Sequence, residues 1–243
     1  MRNEISGFCK RLAFSQTSVE ICANEATVVE EQFLHQVFRR ELEHRNSARK
    51  RRLLKDASFP VYKTLEGYEN RSIRMPSNLK MDDLVRLEFI RKRNNLVMFG
   101  PVGTGKTHLA IALGVAACAT GMIVRYFTAA ELVVRLSEAH RAGTLEKVLK
   151  GILKAEVLVI DEWGYVPIDK EGARLLFRVI SDSYERRSLI ITTNLEFSKW
   201  GNIFTDDQMA AAMIDRLAHH GYLLVFEGDS FRMKNALMRQ KTL

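Results

Sequence analysis

Cysteine is scarce in this chain, and no apolar run is long enough to cross a membrane. The cysteines Cys9, Cys22 and Cys118 show no CxxC spacing, and any disulfide would leave one unpaired. Such usage is typical of a reducing compartment and predicts a cytoplasmic protein. The longest apolar stretch, "LAIALGVAACATGMIV", is interrupted by Thr120 and Gly121, so it predicts a buried helix followed by a strand. The first residues, "MRNEISGFCKRLAF", contain no continuous apolar run, and no secretory signal is expected.

Acidic residues are outnumbered, and unevenly so. The chain of 243 residues has a formal net charge of +8 and a pI near 9.5. Residues 1–99 contain 19 basic and 13 acidic residues, whereas the remainder contains 18 and 16. The hydrophobic fraction of 47% is sufficient for the core of one large domain, with or without a small appendage. The excess charge predicts a polyanionic partner, with nucleic acid as the first candidate.

Phe, Trp and Tyr are absent from the most basic segment, residues 39–55. Without rings that stack on bases, this segment predicts contact with DNA phosphates and little reading of sequence. A solvated helix face is the alternative, and three lysines further along compete for the same role. The candidate DNA-binding residues are Arg39, Arg40, Arg45, Arg49, Lys50, Arg51, Arg52 and Lys55, together with Lys147, Lys150 and Lys154.

Short apolar runs alternate with helical patterns in the larger part of the chain. The predicted strands are "NLVMF", "IVRYFTA", "VLVID", "SLIITTN" and "YLLVFEG", with amphipathic helices between them. This alternation predicts an α/β fold with a parallel sheet and helices on both faces. A helix is predicted over residues 28–55, another over 79–93, and a linker between them. We predict a basic helical N-terminal domain (1–57), a linker (58–78) and an α/β domain (79–243).

A phosphate-binding loop follows the first of these strands. The segment "GPVGTGKT" fits G-x-x-x-x-G-K-[ST] and stands between a strand and a helix, where a helix N-terminus attracts anions. Lys106 would neutralise the β- and γ-phosphates of ATP, and the hydroxyl of Thr107 would bind Mg²⁺. The predicted nucleotide-binding residues are Gly100, Pro101, Val102, Gly103, Thr104, Gly105, Lys106, Thr107 and His108.

Two acids close the strand "VLVIDE". At the carboxyl edge of a parallel sheet, Asp161 is placed to hold Mg²⁺ through water, and Glu162 to activate water for attack on the γ-phosphate. Trp163 and Tyr165 follow and are interpreted as packing residues. No other metal site is predicted, because the histidines show no HExxH or comparable spacing.

Three further polar residues are candidates for catalysis. Asn194 ends the strand "SLIITTN" and could contact both the attacking water and the γ-phosphate, although Asn also commonly begins turns. Arg216 borders the apolar stripe of a helix that Thr205 could cap. Arg232 follows the last strand. Such cations can stabilise the transition state in the same subunit or in a neighbour, but the residues alone favour ordinary surface arginines.

Six motifs in this order resemble the IstB-like transposition helper ATPases of the AAA+ superfamily, whose close relatives are the DnaC-type helicase loaders. The motifs are "GPVGTGKTHLA", "VLVIDEWGY", "TTN", "WGNIF", "MIDRLAHH" and "GDSFRMK", and the resemblance covers roughly residues 39–234. It implies a five-stranded parallel sheet in the order 5-1-4-3-2, a small helical N-terminal domain and no full C-terminal lid.

The resemblance also implies roles that spacing does not define. Asn194 would be the sensor-1 residue, Arg216 an arginine finger that acts on the ATP of a neighbouring subunit, and Arg232 the sensor-2 residue. The protein would form a homo-oligomer with ATP on double-stranded DNA and recruit or stimulate a transposase. Two alternatives stay open: a helicase loader of the same clade, which would prefer single strands, and a small-molecule P-loop kinase.

Overall fold

A computed structural model of the chain describes residues 1–68, 72–165, 168–204 and 206–234. Contacts divide the chain into two compact units, Met1–Arg52 and Leu53–Leu243. The division into 1–57, 58–78 and 79–243 remains a prediction. None of the helices in the described ranges is both long and apolar enough to cross a membrane. All three cysteines are free thiols.

The first unit is helical. It contains α1 (Arg2–Arg11), α2 (Gln16–Glu20), a π-helical turn (Ile21–Glu25) and the first part of α3 (Val28–Ala57). Ser15 caps α2 by accepting a hydrogen bond from the backbone N–H of Ser18. The small core of this first unit consists of Ile5, Cys9, Leu12, Val19, Phe38 and Leu42.

A six-stranded sheet forms the centre of the second unit. The strands are β1 (Ile73–Arg74), β2 (Asn95–Phe99), β3 (Val124–Thr128), β4 (Val157–Trp163), β5 (Ser188–Thr193) and β6 (Gly221–Phe226). Their order is β1-β6-β2-β5-β4-β3, and all neighbours are parallel except β1 and β6. The five long strands therefore follow the predicted order 5-1-4-3-2 when they are numbered without β1.

Helices cover both faces of this sheet, as predicted. After α3, the described α-helices of this unit are α4 (Met81–Val85), α5 (Glu88–Arg91), α6 (Lys106–Thr120), α7 (Ala129–Arg141), α8 (Leu145–Ile152), α9 (Lys170–Ser183), α10 (Trp200–Phe204), α11 (Asp207–His219) and the exposed α12 (Phe231–Lys234). Side chains of successive strand residues face opposite sides. Val97 belongs to a core with α7–α11, and Leu96 and Met98 belong to a core with α4–α6.

The predicted sheet of five parallel strands was wrong in its strand count. β1 adds a sixth strand antiparallel to β6, with Ile73 opposite Phe226, and the N–H of Glu227 donates to the carbonyl of Ser72. It pairs backbone groups that β6 would otherwise leave open at the edge of the sheet. A strand of two residues has no periodicity in sequence, so the pattern could not reveal it.

The predicted helix over 79–93 was also wrong, because it is two short helices. Leu87 separates α4 from α5 in a left-handed conformation, with φ of 58°. Leu84, Leu87, Phe89 and Ile90 are all buried. A continuous helix would point Leu84 and Phe89 about 140° apart, so the break allows both to enter the core.

The start of α11 differs from the prediction as well. Asp206 caps this helix, and its carboxylate accepts the N–H of Met209 at 3.0 Å. Thr205, the predicted cap, lies outside the described residues. Residues 235–243 also lie outside them, so the absence of a C-terminal lid remains a prediction.

Candidate nucleotide-binding site

The phosphate-binding loop lies between β2 and α6, and its glycines are required by space as well as by backbone angle. Gly100 and Gly103 have φ of +152° and +84°. A Cβ on Gly100 would lie 2.3 Å from the carbonyl oxygen of Phe226, and one on Gly103 would lie 2.0 Å from Oγ of Ser230. Larger residues would therefore push the loop away from the segment that leaves β6.

Lys106 is buried at the start of α6 and faces the loop. Its Nζ donates hydrogen bonds to the carbonyl oxygens of Gly100 (2.7 Å) and Pro101 (2.6 Å). Burial lowers the pKa of Lys106 to about 8, opposed by the charge of Asp161 and assisted by that of Arg232. A cation held in so little water interacts strongly with any anion that enters the loop.

The carboxylate of Asp161 is the centre of a buried hydroxyl network. Thr107 donates to its Oδ1 at 3.0 Å, Tyr126 donates to its Oδ2 at 2.7 Å, and Thr192 donates to Oδ1 as well. Burial, together with the Asp161 carboxylate, raises the pKa of Tyr126 far above its usual range. Tyr126 and Thr192 were missed in the sequence, where isolated hydroxyls carry no pattern.

Thr107 and Asp161 form a donor set that fits Mg²⁺. Both predicted ligands meet within hydrogen-bond distance, although they come from different elements, α6 and β4. One hydroxyl and one carboxylate are oxygen ligands, and Mg²⁺ commonly takes a few such groups and completes its shell with water and phosphate. These two residues would hold the ion beside the loop.

Glu162 has an unusual backbone. Its φ is +59°, which is rare for a residue other than glycine, and the register between β4 and β5 shifts between Ile160 and Trp163. The N–H of Glu162 donates to Oγ1 of Thr192 at 3.1 Å, which holds this conformation. Such backbone strain is typical of functional sites, so we interpret it as a device that aims the carboxylate outward.

The side chain of Glu162 is exposed and borders a cavity of about 160 Å³. Tyr165 lines the same cavity and is 63% exposed, so its prediction as a packing residue was wrong. The prediction for Trp163 is confirmed, because its ring is buried against Trp200 and Phe204.

Asn194 follows β5 directly and is exposed. β5 lies between β2 and β4, so Asn194 leaves the sheet between the strand before the phosphate loop and the strand with the acid pair. This placement is the one that a contact with both water and γ-phosphate would need.

Arg216 lies near the amino ends of the parallel strands, whereas the phosphate loop lies at their carboxyl ends. The carbonyls of Leu217 and His220, at the end of α11, accept hydrogen bonds from Asn95, the first residue of β2. The phosphate loop begins after the last residue of β2, roughly 13 Å further along a five-residue strand. Arg216 donates to the carbonyl of Ala212 and lies over the ring of Phe177, so it does not reach its own loop.

Arg232 and Tyr68 lie near the loop from two other segments. The N–H of Phe231 donates to the carbonyl of Gly103 at 2.9 Å, which places Arg232 close enough to lower the pKa of Lys106. The hydroxyl of Tyr68 donates to the carbonyl of Gly105 at 3.3 Å. Tyr68 was missed in the sequence, because one aromatic residue in a linker has no distinctive spacing.

The remaining loop and DNA candidates have simpler surroundings. Oγ1 of Thr104 donates to the carbonyl of Pro101, Val102 is exposed, and a ring nitrogen of His108 lies 3.0 Å from the carbonyl of Thr64. All eleven DNA candidates are exposed. Eight of them lie along α3, and the other three lie in or just after α8.

Comparison with known proteins agrees with this geometry. The fold and the loop define a P-loop α/β protein. Its fold is similar to that of a structure of the replication initiator DnaA bound to AMPPCP and single-stranded DNA (22% identity, 72% of this chain, 53% of that chain, TM-score 0.57). A DnaC helicase loader structure is also similar (23% identity, 68% of this chain, 96% of that chain, TM-score 0.52). At these identities the likeness concerns the fold alone.

The chain belongs to the IstB-like ATP binding protein family, whose model matches residues 10–239. A Geobacillus stearothermophilus protein named as an ATP-binding protein of insertion sequence IS5376 is 32% identical over 99% of this chain and 98% of its own length. A Pseudomonas aeruginosa protein named as an ATP-binding protein of IS21 is 37% identical over 84% of this chain and 77% of its own. The resemblance recognised in the motifs is confirmed.

The buried Lys106 links stability to pH. Its pKa is about 8 in the folded chain and about 10.4 in an unfolded one, so the unfolded chain binds more protons between these values and stability rises with pH there. The quantity to measure is the difference in unfolding free energy between the wild type and Lys106→Met. We expect this difference to increase by on the order of 1–2 kcal/mol from about pH 7.5 to about pH 9.5. Urea denaturation measures this difference, and a flat or falling one contradicts it.

Proposed function

We propose that this protein is an ATP-dependent, DNA-binding regulator of transposition, which assembles on duplex DNA and recruits or stimulates a partner transposase. One observation carries the proposal: a phosphate loop, the Thr107–Asp161 pair and a strained, outward-facing Glu162 meet at one sheet edge in a member of this family. The names of its relatives associate the family with insertion sequences.

ATP hydrolysis is the reaction that this edge supports. The loop N–H groups and Lys106 bind the phosphates of ATP, and Thr107 and Asp161 hold Mg²⁺, which supplies charge neutralisation. Glu162 accepts a proton from the attacking water while the oxygen of that water bonds to the γ-phosphorus. The bond from the γ-phosphorus to the β,γ-bridging oxygen breaks and releases ADP and phosphate. Asn194 orients the water between loop and acid.

Assembly completes the site in this proposal. Arg216 does not reach its own loop and sits at the other edge of the sheet, which suits an arginine that acts on the ATP of the next subunit. The ring of Phe177 and the carbonyl of Ala212 hold the guanidinium in place. Arg232, beside Gly103, acts in its own subunit.

Exposed arginines of α3 support a DNA-binding role. Arg45, Arg49 and Arg52 share one helix face at spacings of four and three residues, and Arg45 also pairs with Glu41 at 2.7 Å. Such side chains contact phosphates irrespective of base sequence, so binding depends strongly on salt. This supports assembly on DNA of any sequence.

The proposal is tested by assembly on DNA. With ATP and a long duplex at low salt, electron microscopy should show oligomers on the DNA, and affinity should fall about a thousandfold between 50 and 200 mM salt. Arg45→Ala with Arg52→Ala should weaken binding, whereas the exposed pair Lys10→Ala and Arg11→Ala serves as the control. A protein that stays monomeric on duplex DNA contradicts the proposal.

Strand preference and product analysis separate the alternatives. A helicase loader would prefer single-stranded over duplex DNA and would co-purify with a helicase; its only support here is the fold shared with DnaC. A small-molecule kinase would form a phosphorylated acceptor, whereas the proposed reaction releases free phosphate.

Glu162→Gln should separate binding from hydrolysis. The amide retains the shape of the site but cannot accept the proton, so ATP binding should persist, hydrolysis should slow by orders of magnitude and assemblies should accumulate. Lys106→Ala is the contrasting variant and should abolish nucleotide binding. Fluorescent nucleotide binding and phosphate release measure the two steps, and normal turnover by Glu162→Gln rejects its role.

Arg216→Ala should leave ATP binding intact while hydrolysis fails, because the residue serves a neighbour. Mixing it with Lys106→Ala should restore part of the activity, since some interfaces then combine an intact loop with an intact arginine. Phosphate release from the mixture measures this. No recovery in a mixture with verified co-assembly would return Arg216 to an ordinary surface role.

A further inference from the structure

A cluster of two histidines and one glutamate lies at the end of α11, at the edge of the sheet opposite the phosphate loop. His219 ends the helix, His220 follows it as the cap, and Glu185 stands in the turn between α9 and β5. One potential ligand atom of each residue lies within 4.8 Å of the other two. Sequence spacing predicted no metal site here, because Glu185 is remote from the histidine pair in the chain.

Local backbone geometry brings the two adjacent imidazoles together. In a continuing helix their side chains would diverge by about 100°. His220 instead leaves the helix with φ of −118° and ψ of 41°, and the two ring centroids lie 4.2 Å apart. Glu185 has a left-handed φ of 56°, and its Oε1 lies 2.9 Å from Nε2 of His220. The end of α11 at His220 and the left-handed turn at Glu185 therefore bring these three side chains together.

We propose that Glu185, His219 and His220 form a binding site for a divalent transition-metal ion, with Zn²⁺ as the best-fitting one. Two imidazoles and a carboxylate are a common three-ligand set for Zn²⁺, with water in the fourth position. With bonds of about 2.0–2.1 Å, neighbouring ligand atoms of a tetrahedral site are ~3.3 Å apart. Atoms that already lie within 4.8 Å reach this spacing by small side-chain rotations.

Tyr184 is a positioning residue for this site. Its hydroxyl lies 2.6 Å from Nδ1 of His219, and its ring stacks with that imidazole at a centroid distance of 6.0 Å. A hydrogen bond to one ring nitrogen fixes the ring and leaves the other nitrogen for the metal. The hydrogen bond between His220 and Glu185 is the contact that the ion replaces.

The ion would join the end of α11 to the turn after α9, three residues from Arg216 on the same helix. The proposal does not rest on ATP hydrolysis, because binding is measured in the absence of nucleotide and DNA. Its failure and the failure of the proposed function are therefore separate results.

The experiment uses the full chain without a polyhistidine tag, stripped with chelator and titrated with ZnCl₂ at neutral pH by calorimetry. We expect one ion per chain, and about a tenfold or greater loss of affinity for each of Glu185→Gln, His219→Ala and His220→Ala. Tyr184→Phe should weaken binding about tenfold. The matched control is His140→Ala, since His140 faces the carboxylate of Glu171 at 3.6 Å but belongs to no group of three potential ligands among the described residues.

Two measurements keep the result clear. Circular dichroism without metal verifies that each variant is folded, and the absorption spectrum of the Co²⁺-loaded wild type reports the coordination without any mutation. A four-coordinate spectrum with the expected losses supports the site. Zinc affinity that His219→Ala and His220→Ala leave unchanged, an equal loss in His140→Ala, or a six-coordinate Co²⁺ spectrum overturns it.

Discussion

The hydrogen bonding of one buried carboxylate, that of Asp161, holds the candidate site together. A charge without water is very unfavourable unless several donors surround it, and here the hydroxyls of Thr107, Tyr126 and Thr192 do so. These residues belong to α6, β3 and β5, and Asp161 belongs to β4. The carboxylate thus ties three neighbouring strands to the helix that follows the phosphate loop, and the positions of Lys106 and Glu162 depend on it.

Much of this site was predictable, because parallel strands place their carboxyl ends at one edge. The loop and the acid pair each end an apolar run, so the sequence predicted that Thr107 and Asp161 would meet, and they do. Tyr126, Thr192 and Tyr68 were not predictable. Each is a single hydroxyl-bearing residue whose role depends on which strand or loop lies next to it, and that is a property of the folded chain.

The fold shows the same division between local pattern and long-range contact. Alternating apolar runs correctly predicted five parallel strands with helices on both faces. They did not predict β1, which is strand only because β6 offers an open edge, or the break at Leu87, which exists because Leu84 and Phe89 both need the core. The convergence of Glu185 on the two histidines likewise depends on a turn conformation that spacing does not encode.

The separation of Arg216 from its own phosphate loop has a consequence for how long an isolated molecule keeps bound ATP. On the proposed roles, an isolated chain keeps its ATP, because the cation that would stabilise the transition state belongs to another copy. ATP is then hydrolysed only between adjacent subunits, and the lifetime of each bound ATP depends on whether a neighbouring subunit has bound. Association of two subunits would thus set the start of hydrolysis, and the hydrolysis rate would limit how long the assembly stays bound to ATP.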